Sequence, residues 1–234
     1  PLLILTRIII METRRRFIKQ VIPGAAGITL GGTAFAGSPI SYGRIKGANE
    51  KIRVGVVGFS DRFKSSLLPC FLEHAAELNF EIVALSDIWI ERRNEGKAWI
   101  KEKAGWDVAL CANNDELYAR KDIDAVIIST ADFQHALHLV EAAHAKKDAY
   151  VEKPFAETMN DARGALRACR ESGIIVQIGS QRRSGANYLA ANEYIKSGKF
   201  GDIVMVEMCW NVNQPGRWRR PALVAAIRKQ DTDW

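Results

Sequence analysis

Cysteine is scarce: four residues in 234, at positions 70, 111, 169 and 209, with no C-x-x-C pair and no cysteine–histidine set at zinc spacing. That excludes a disulfide framework and a structural zinc site, and no metal is expected. Cys70 and Cys169 fall in helical patterns, where core packing is their expected role. Charge of one sign is also lacking in the body of the chain. The formal net charge is +6, but residues 1–36 carry five basic residues against one acidic. Without them, 28 basic and 26 acidic residues remain. So balanced a body gives no footprint for nucleic acid. No repeat or low-complexity stretch is present either.

Residues 1–36 read as an address. From Met11 the chain runs Thr13-Arg14-Arg15-Arg16-Phe17-Ile18-Lys19, then an uncharged Ala/Gly-rich stretch ending Ala34-Phe35-Ala36. Basic, apolar and small-x-small segments in that order form a secretory signal, and the paired arginines resemble a twin-arginine (Tat) signal. A basic or membrane-spanning helix is the alternative. Glycine, proline and short length argue against a span, so no stable membrane insertion is expected after cleavage. A periplasmic location follows, and Tat substrates fold before export, which suits a chain poor in disulfides. Residues 1–10 precede a plausible start methionine. Residues 37–50, small and polar, read as a linker.

From residue 51 strands and helices alternate. Apolar runs of strand length lie at 52–57, 81–85, 125–128, 149–151 and 174–178, with a weaker one at 108–111. Helical periodicity covers 65–78, 89–104, 132–146, 158–172 and 185–197, with a turn or two at 114–120. Thr158 and Asp161 have capping-box spacing, and Gly173 is placed as a C-cap. Continuous apolar strands between helices mean a parallel sheet covered on both faces, so the expected fold is α/β and doubly wound. That assigns 51–180 to one doubly wound domain of Rossmann type, which the resemblance named below makes the dinucleotide-binding domain. After Gly201 the pattern changes: 203–212 reads as a longer strand, and 181–234 as a connecting helix with the beginning of an incomplete α+β domain.

In such a sheet, ligands bind outside the carboxyl ends of the strands. The first end reads Val57-Gly58-Phe59-Ser60-Asp61-Arg62-Phe63. A G-x-G-x-x-G loop needs glycine at 58, 60 and 63, and only Gly58 is present. Ser60 still permits close approach to a pyrophosphate, whereas Phe63 is too large for the usual tight helix–strand contact. Asp61 caps a helix well but opposes a phosphate. Asp87, at the second strand end, suits the adenosine ribose hydroxyls and repels a 2′-phosphate. NAD is therefore the expected cofactor, with NADP kept open by Arg92 and Arg93. Asp87 as a plain helix cap is the competing reading.

Three further strand ends carry motifs: Ser129-Thr130-Ala131-Asp132-Phe133-Gln134-His135, Glu152-Lys153-Pro154, and Gly179-Ser180-Gln181-Arg182-Arg183. Pro154 restricts Lys153 to an extended conformation at its strand tip. Read alone, Glu152-Lys153 is a strand cap with a surface ion pair, worth little. In this order, the strand ends resemble the Gfo/Idh/MocA family, the glucose–fructose oxidoreductase and inositol dehydrogenase relatives. The likeness covers about 52–212, with Ala131 where the family's loop has proline.

The resemblance implies a second, C-terminal α+β domain with an open, mainly antiparallel sheet, through which the complete protein forms a homo-oligomer. It implies Lys153 as the catalytic residue, hydrogen-bonding or deprotonating a substrate hydroxyl. Gly58, Phe59, Ser60, Asp87, Ser129, Thr130, His135, Glu152, Lys153 and Gln181 are the implied cofactor-binding set. The family's other catalytic residues come from the second domain. Three functions compete: an NAD-dependent oxidoreductase acting on a carbohydrate or polyol, an NAD-dependent glycosidase, and a non-catalytic nucleotide- or ligand-binding protein, the last suggested by the missing glycines. His74, His138 and His144 read as surface or packing residues, Trp89, Trp99 and Trp106 as packing, and Arg217, Arg219 and Arg220 as a solvated basic loop.

Overall fold

The structure, a computed structural model, describes residues 51–209 and 220–232. Six strands form its sheet: β1 (Ile52–Val57), β2 (Phe80–Ser86), β3 (Ala109–Cys111), β4 (Ala125–Ile128), β5 (Asp148–Glu152) and β6 (Val176–Gly179). Every pairing is parallel and the spatial order is β3-β2-β1-β4-β5-β6. The connecting helices are α1 (Leu68–Leu78), α2 (Ile90–Ala104), α3 (Asn114–Ala119), α4 (His135–His144) and α5 (Met159–Ser172). Two more, α6 (Ala186–Lys196) and α7 (Pro221–Ala226), follow the last strand. None of the described helices is long and apolar enough to cross a membrane.

The strand centres are mostly apolar because helices cover both faces. Along β1, Val56 belongs to a cluster with Phe59, Phe63, Leu85 and Ile100, while its neighbour Val57 packs with Leu117, Leu139 and Val151 on the other side. β4 divides likewise, Ile127 to one face and Ile128 to the other. The Thr158 hydroxyl caps α5 by accepting from Asp161 N at 3.1 Å, and it donates to the Asp161 carboxylate at 2.6 Å. The shorter Asp side chain thus takes the hydroxyl proton, where a capping-box glutamate reaches back to the backbone.

Phe63 sits where the fingerprint's last glycine would be, and it is fully buried. Its ring packs edge-on against Phe59, with centroids 5.9 Å apart. The chain accommodates it through a π-helical turn over Phe63–Leu67, in which Leu68 N–H donates to the Phe63 carbonyl. This wider turn leads into α1 and makes room that a regular first turn lacks. Phe59 in turn is housed by Gly96 on α2, where a Cβ would stand 2.3 Å from Leu85 Cδ2 and 2.9 Å from the Phe59 ring. The close helix–strand contact has moved from the loop to the neighbouring helix.

Four expectations are corrected. Residues 203–209 form no strand: Val204 is 94% exposed and Met208 90%. A strand takes its hydrogen bonds from a neighbour, and no described segment supplies one; residues 210–212 lie outside the described residues. Arg220 is not simply solvated, because it pairs with Asp61; Arg217 and Arg219 lie outside the described residues. Cys70 is exposed, since it falls on the outer side of α1. Trp89 does not pack in the core as Trp99 and Trp106 do; its backbone bridges to Thr232 and its buried indole N–H has no partner.

Phe63→Ala should remove about 3–5 kcal/mol of stability, the range for truncating a buried aromatic. Urea denaturation checks this as a fall in midpoint at unchanged slope. A loss below about 1 kcal/mol would contradict a packing role for the ring.

Candidate active site

The loops at the carboxyl ends of β1, β2, β4, β5 and β6 meet at the switch point, where the strand order reverses between β1 and β4. Backbone bonds fix the first loop: Gly58 N–H donates to Ser86 O at 2.8 Å and Ser129 N–H to Val57 O at 3.1 Å. The Ser129 hydroxyl donates to Gly58 O at 3.0 Å. Gly58 has φ +83°, and a Cβ there would lie 2.6 Å from the Thr130 methyl, so neither strain nor space admits another residue. The Ser60 hydroxyl accepts from Phe63 N at 3.1 Å and opens the π-helical turn.

Asp87 ties the second strand end to the first loop. One carboxylate oxygen accepts from Phe59 N and the other from Trp89 N, both at 2.9 Å. Burial raises its pKa above the ordinary aspartate value, opposed by these two N–H groups and by Arg92 and Arg93. Arg93 bridges to the carbonyls of Asp87 (3.0 Å) and Ala112 (3.1 Å), so it braces the loop. Asp61 pairs with Arg92 at 3.0 Å and with Arg220. The Arg220 guanidinium is the chief cause of its lowered pKa. Its opposition to a phosphate is thereby compensated by two cations.

Glu152 organises the opposite side. It is 3% exposed, and its carboxylate accepts from Arg62 Nε (3.3 Å), Tyr150 OH (3.4 Å), Lys153 N (3.2 Å) and Gln181 Nε2. The expected surface pair between Glu152 and the Lys153 ammonium is therefore absent. Lys153 is exposed, and among the described residues no carboxylate pairs with its ammonium. His135 is buried at 1% exposure, with Nδ1 2.7 Å from Pro154 O and Nε2 3.1 Å from Thr130 O. Both ring nitrogens lie within reach of backbone carbonyls, and a neutral imidazole donates its one N–H to one of them, so buried His135 ties the β4 and β5 loops together. Phe59 likewise offers only backbone to the site, because its side chain is core. Arg62 and Tyr150 were not singled out from the sequence; a tyrosine breaking the apolar run of β5 beside a buried acid was the available signal.

The residues present fit a dinucleotide. At Gly58 the loop packs directly on Thr130, whose buried hydroxyl has no hydrogen-bond partner among the described residues. Gly58 to Ser60, Asp87, Ser129, Thr130, Glu152, Lys153 and Gln181 all stand at or just beyond strand ends on the switch-point side of the sheet. Among the described residues no group of His, Cys, Asp or Glu could hold a metal.

This strand order, with a glycine turn at the switch point and a carboxylate at the second strand end, defines a dinucleotide-binding Rossmann domain. Comparison with known proteins agrees, and carries it to a family. The chain belongs to the Gfo/Idh/MocA oxidoreductase family, whose NAD-binding Rossmann profile matches residues 52–180. It is 32% identical over 127 residues to an inositol 2-dehydrogenase of Gluconacetobacter diazotrophicus, covering 53% of this chain and 36% of the relative. The WlbA dehydrogenase of Bordetella pertussis, solved with NADH and UDP-GlcNAcA, shares the fold at TM-score 0.58 and 24% identity, over 64% of this chain and 43% of that one. KijD10, a 3-ketoreductase of Actinomadura kijaniata solved with TDP-benzene and NADP, does so at TM-score 0.54 and 24% identity, over 63% and 44%. The chain spans less than half the length of each.

The two aspartates at the mouth should titrate with opposite sign. Asp87, with its raised pKa, contributes stability fully present below about pH 3.9 and lost as pH rises through its folded value. Asp61, with its lowered pKa, contributes stability present above about pH 3.9 and lost as pH falls through its folded value. Urea denaturation from about pH 2 to about pH 7 tests this. Relative to wild type, Asp87→Asn should gain stability as pH rises above about 4, whereas Asp61→Asn should lose it as pH rises toward about 4.

Proposed function

We propose that this chain carries the cofactor half of an NAD(P)-dependent oxidoreductase acting on a hydroxyl-bearing carbon of a carbohydrate or polyol. The observation that carries this reading is the Lys153 ammonium, exposed at the tip of β5 and free of carboxylates among the described residues, while the adjacent Glu152 is engaged elsewhere. Bound nicotinamide supplies hydride transfer at its C4. A carbinol that gives up hydride must also release its hydroxyl proton; Lys153 Nζ would hydrogen-bond that oxygen as the ammonium, or take the proton itself in its neutral amine form. Glu152 holds the backbone N–H of Lys153 and so aims the tip. His135 fixes the Pro154 carbonyl on the other side. The names of the relatives, which act on inositol or sugar substrates, support the substrate class.

NAD is the favoured cofactor, since Asp87 keeps lone pairs for ribose hydroxyls and repels a 2′-phosphate. The full protein further assembles through the sheet of its second domain. Residues 11–36, which lie outside the described residues, direct it through the Tat route to the periplasm.

In the full-length protein, Lys153→Ala should lower turnover by roughly 100-fold or more, with NAD binding and thermal stability little changed. NAD should bind more tightly than NADP. Turnover is read on sugars and on aryl glycosides: net NADH release marks dehydrogenase chemistry, and hydrolysis with cofactor recycled marks the glycosidase. Near wild-type turnover in the variant would reduce Lys153 to a strand cap.

Replacing Arg14, Arg15 and Arg16 by lysine keeps charge but removes the guanidinium groups. A folded reporter fused to residues 11–36 should then remain in the cytoplasm; its continued export would refute the Tat assignment.

A further inference from the structure

Two clefts of about 370 Å³ open on the described surface, and charge distinguishes them. The first lies over the β1 and β2 loops, beside Trp89 and Leu223. Its cations are already matched: Lys64 to Glu95 at 2.6 Å, and Arg92 to Asp61 and Glu95, both at 3.0 Å. The second lies between the turn after β6 and the face of α6, lined by Arg182, Arg183, Tyr188, Leu189 and Asn192. Among the described residues no carboxylate lines it. Arg182 donates to the neutral Tyr188 hydroxyl at 3.0 Å, and neither arginine has an ion pair among the described residues. The nearest acid along α6, Glu193, faces Lys196 at 3.3 Å.

This cationic cleft is wired to the candidate active site. Gln181, the residue before Arg182, donates to the Glu152 carboxylate and to Tyr150 OH at 2.9 Å. A 3₁₀ turn over Gln181–Ser184 holds both arginines just beyond that contact. The lysine of the site is thus next to Glu152 in sequence, and the arginines are next to Gln181. Arginine presents a planar fork that matches a carboxylate or phosphate bidentately. Tyr188 and Leu189, about half exposed, offer an apolar wall to the C–H face of a sugar, and Asn192 an amide for its hydroxyls. The volume is at the small end for ligand pockets, which suits a monosaccharide.

We propose that Arg182 and Arg183 form the anion end of the substrate site, and that the substrate is a monosaccharide bearing a carboxylate or phosphate. This rests on the carbohydrate reading above and narrows it. The charged group is held in the α6 cleft while a hydroxyl-bearing carbon of the same sugar reaches toward Lys153. Because both arginines are exposed, binding weakens with salt.

The test is isothermal titration of the full chain, with and without NAD, using D-glucuronate, D-glucose 6-phosphate, D-glucose and inorganic phosphate. At least one charged sugar should bind about 10-fold or more tightly than glucose, the effect of one charge-assisted hydrogen bond. The two charged sugars distinguish carboxylate from phosphate. Arg182→Gln with Arg183→Gln should abolish that advantage without changing the melting temperature or NAD affinity. Equal binding of charged and neutral sugars, an advantage that survives in the double variant, or no sugar binding overturns the proposal. Inorganic phosphate binding as tightly as the charged sugars overturns the sugar assignment. Failure to bind NAD strikes the oxidoreductase reading instead, and leaves the comparison of sugars to be judged by itself.

Discussion

A carboxylate taken out of water must be matched by donors or it destabilises the fold, and Glu152 is such a group at 3% exposure. Its donors arrive from three places: Arg62 on the first loop, Tyr150 and the Lys153 backbone on β5, and Gln181 after β6. Satisfying one buried charge therefore draws three separate chain segments to a single point. Among the described residues the adjacent lysine ammonium has no carboxylate partner.

The first loop shows how a nucleotide-binding turn survives the loss of two glycines. The essential one, Gly58, remains because its left-handed backbone and the Thr130 methyl admit nothing larger. Phe63 is accommodated by widening the helix start, and Phe59 by a glycine on α2. The residue that seemed most hostile to a phosphate, Asp61, is held by two arginines, one of them from the segment after α6. Phe63 is thus accommodated locally, and Phe59 and Asp61 by partners remote in sequence.

Charge then divides the crevice rim. Around the first cleft, acids and bases pair off, which stabilises loops without offering a free charge to a ligand. Around the α6 cleft, the described residues lining it bring no carboxylate to the arginines. A formal net charge near balance over the body of the chain conceals this local asymmetry, because composition averages over positions that the fold separates.

Local chemistry determined much of the architecture. Apolar runs of strand length alternating with helical periodicity specify a doubly wound parallel sheet, because only burial on both faces tolerates such strands. Thr158 and Gly173 mark the ends of α5, since caps act through neighbouring residues. The places of Gly58, Asp87 and Lys153 just beyond three strand ends were legible, because strand ends are set by local pattern. Tertiary structure decided what depends on distant partners. The sequence alone could not show that Glu152 pairs with Arg62 90 positions away, that His135 has both nitrogens within reach of backbone carbonyls, or that Arg220 reaches Asp61. Nor could it show that 203–209, apolar enough for a strand, lacks a described neighbour. A residue's intrinsic preference is written in its side chain, but its hydrogen bonds and charge partners exist only once the fold has brought remote segments within about 3 Å.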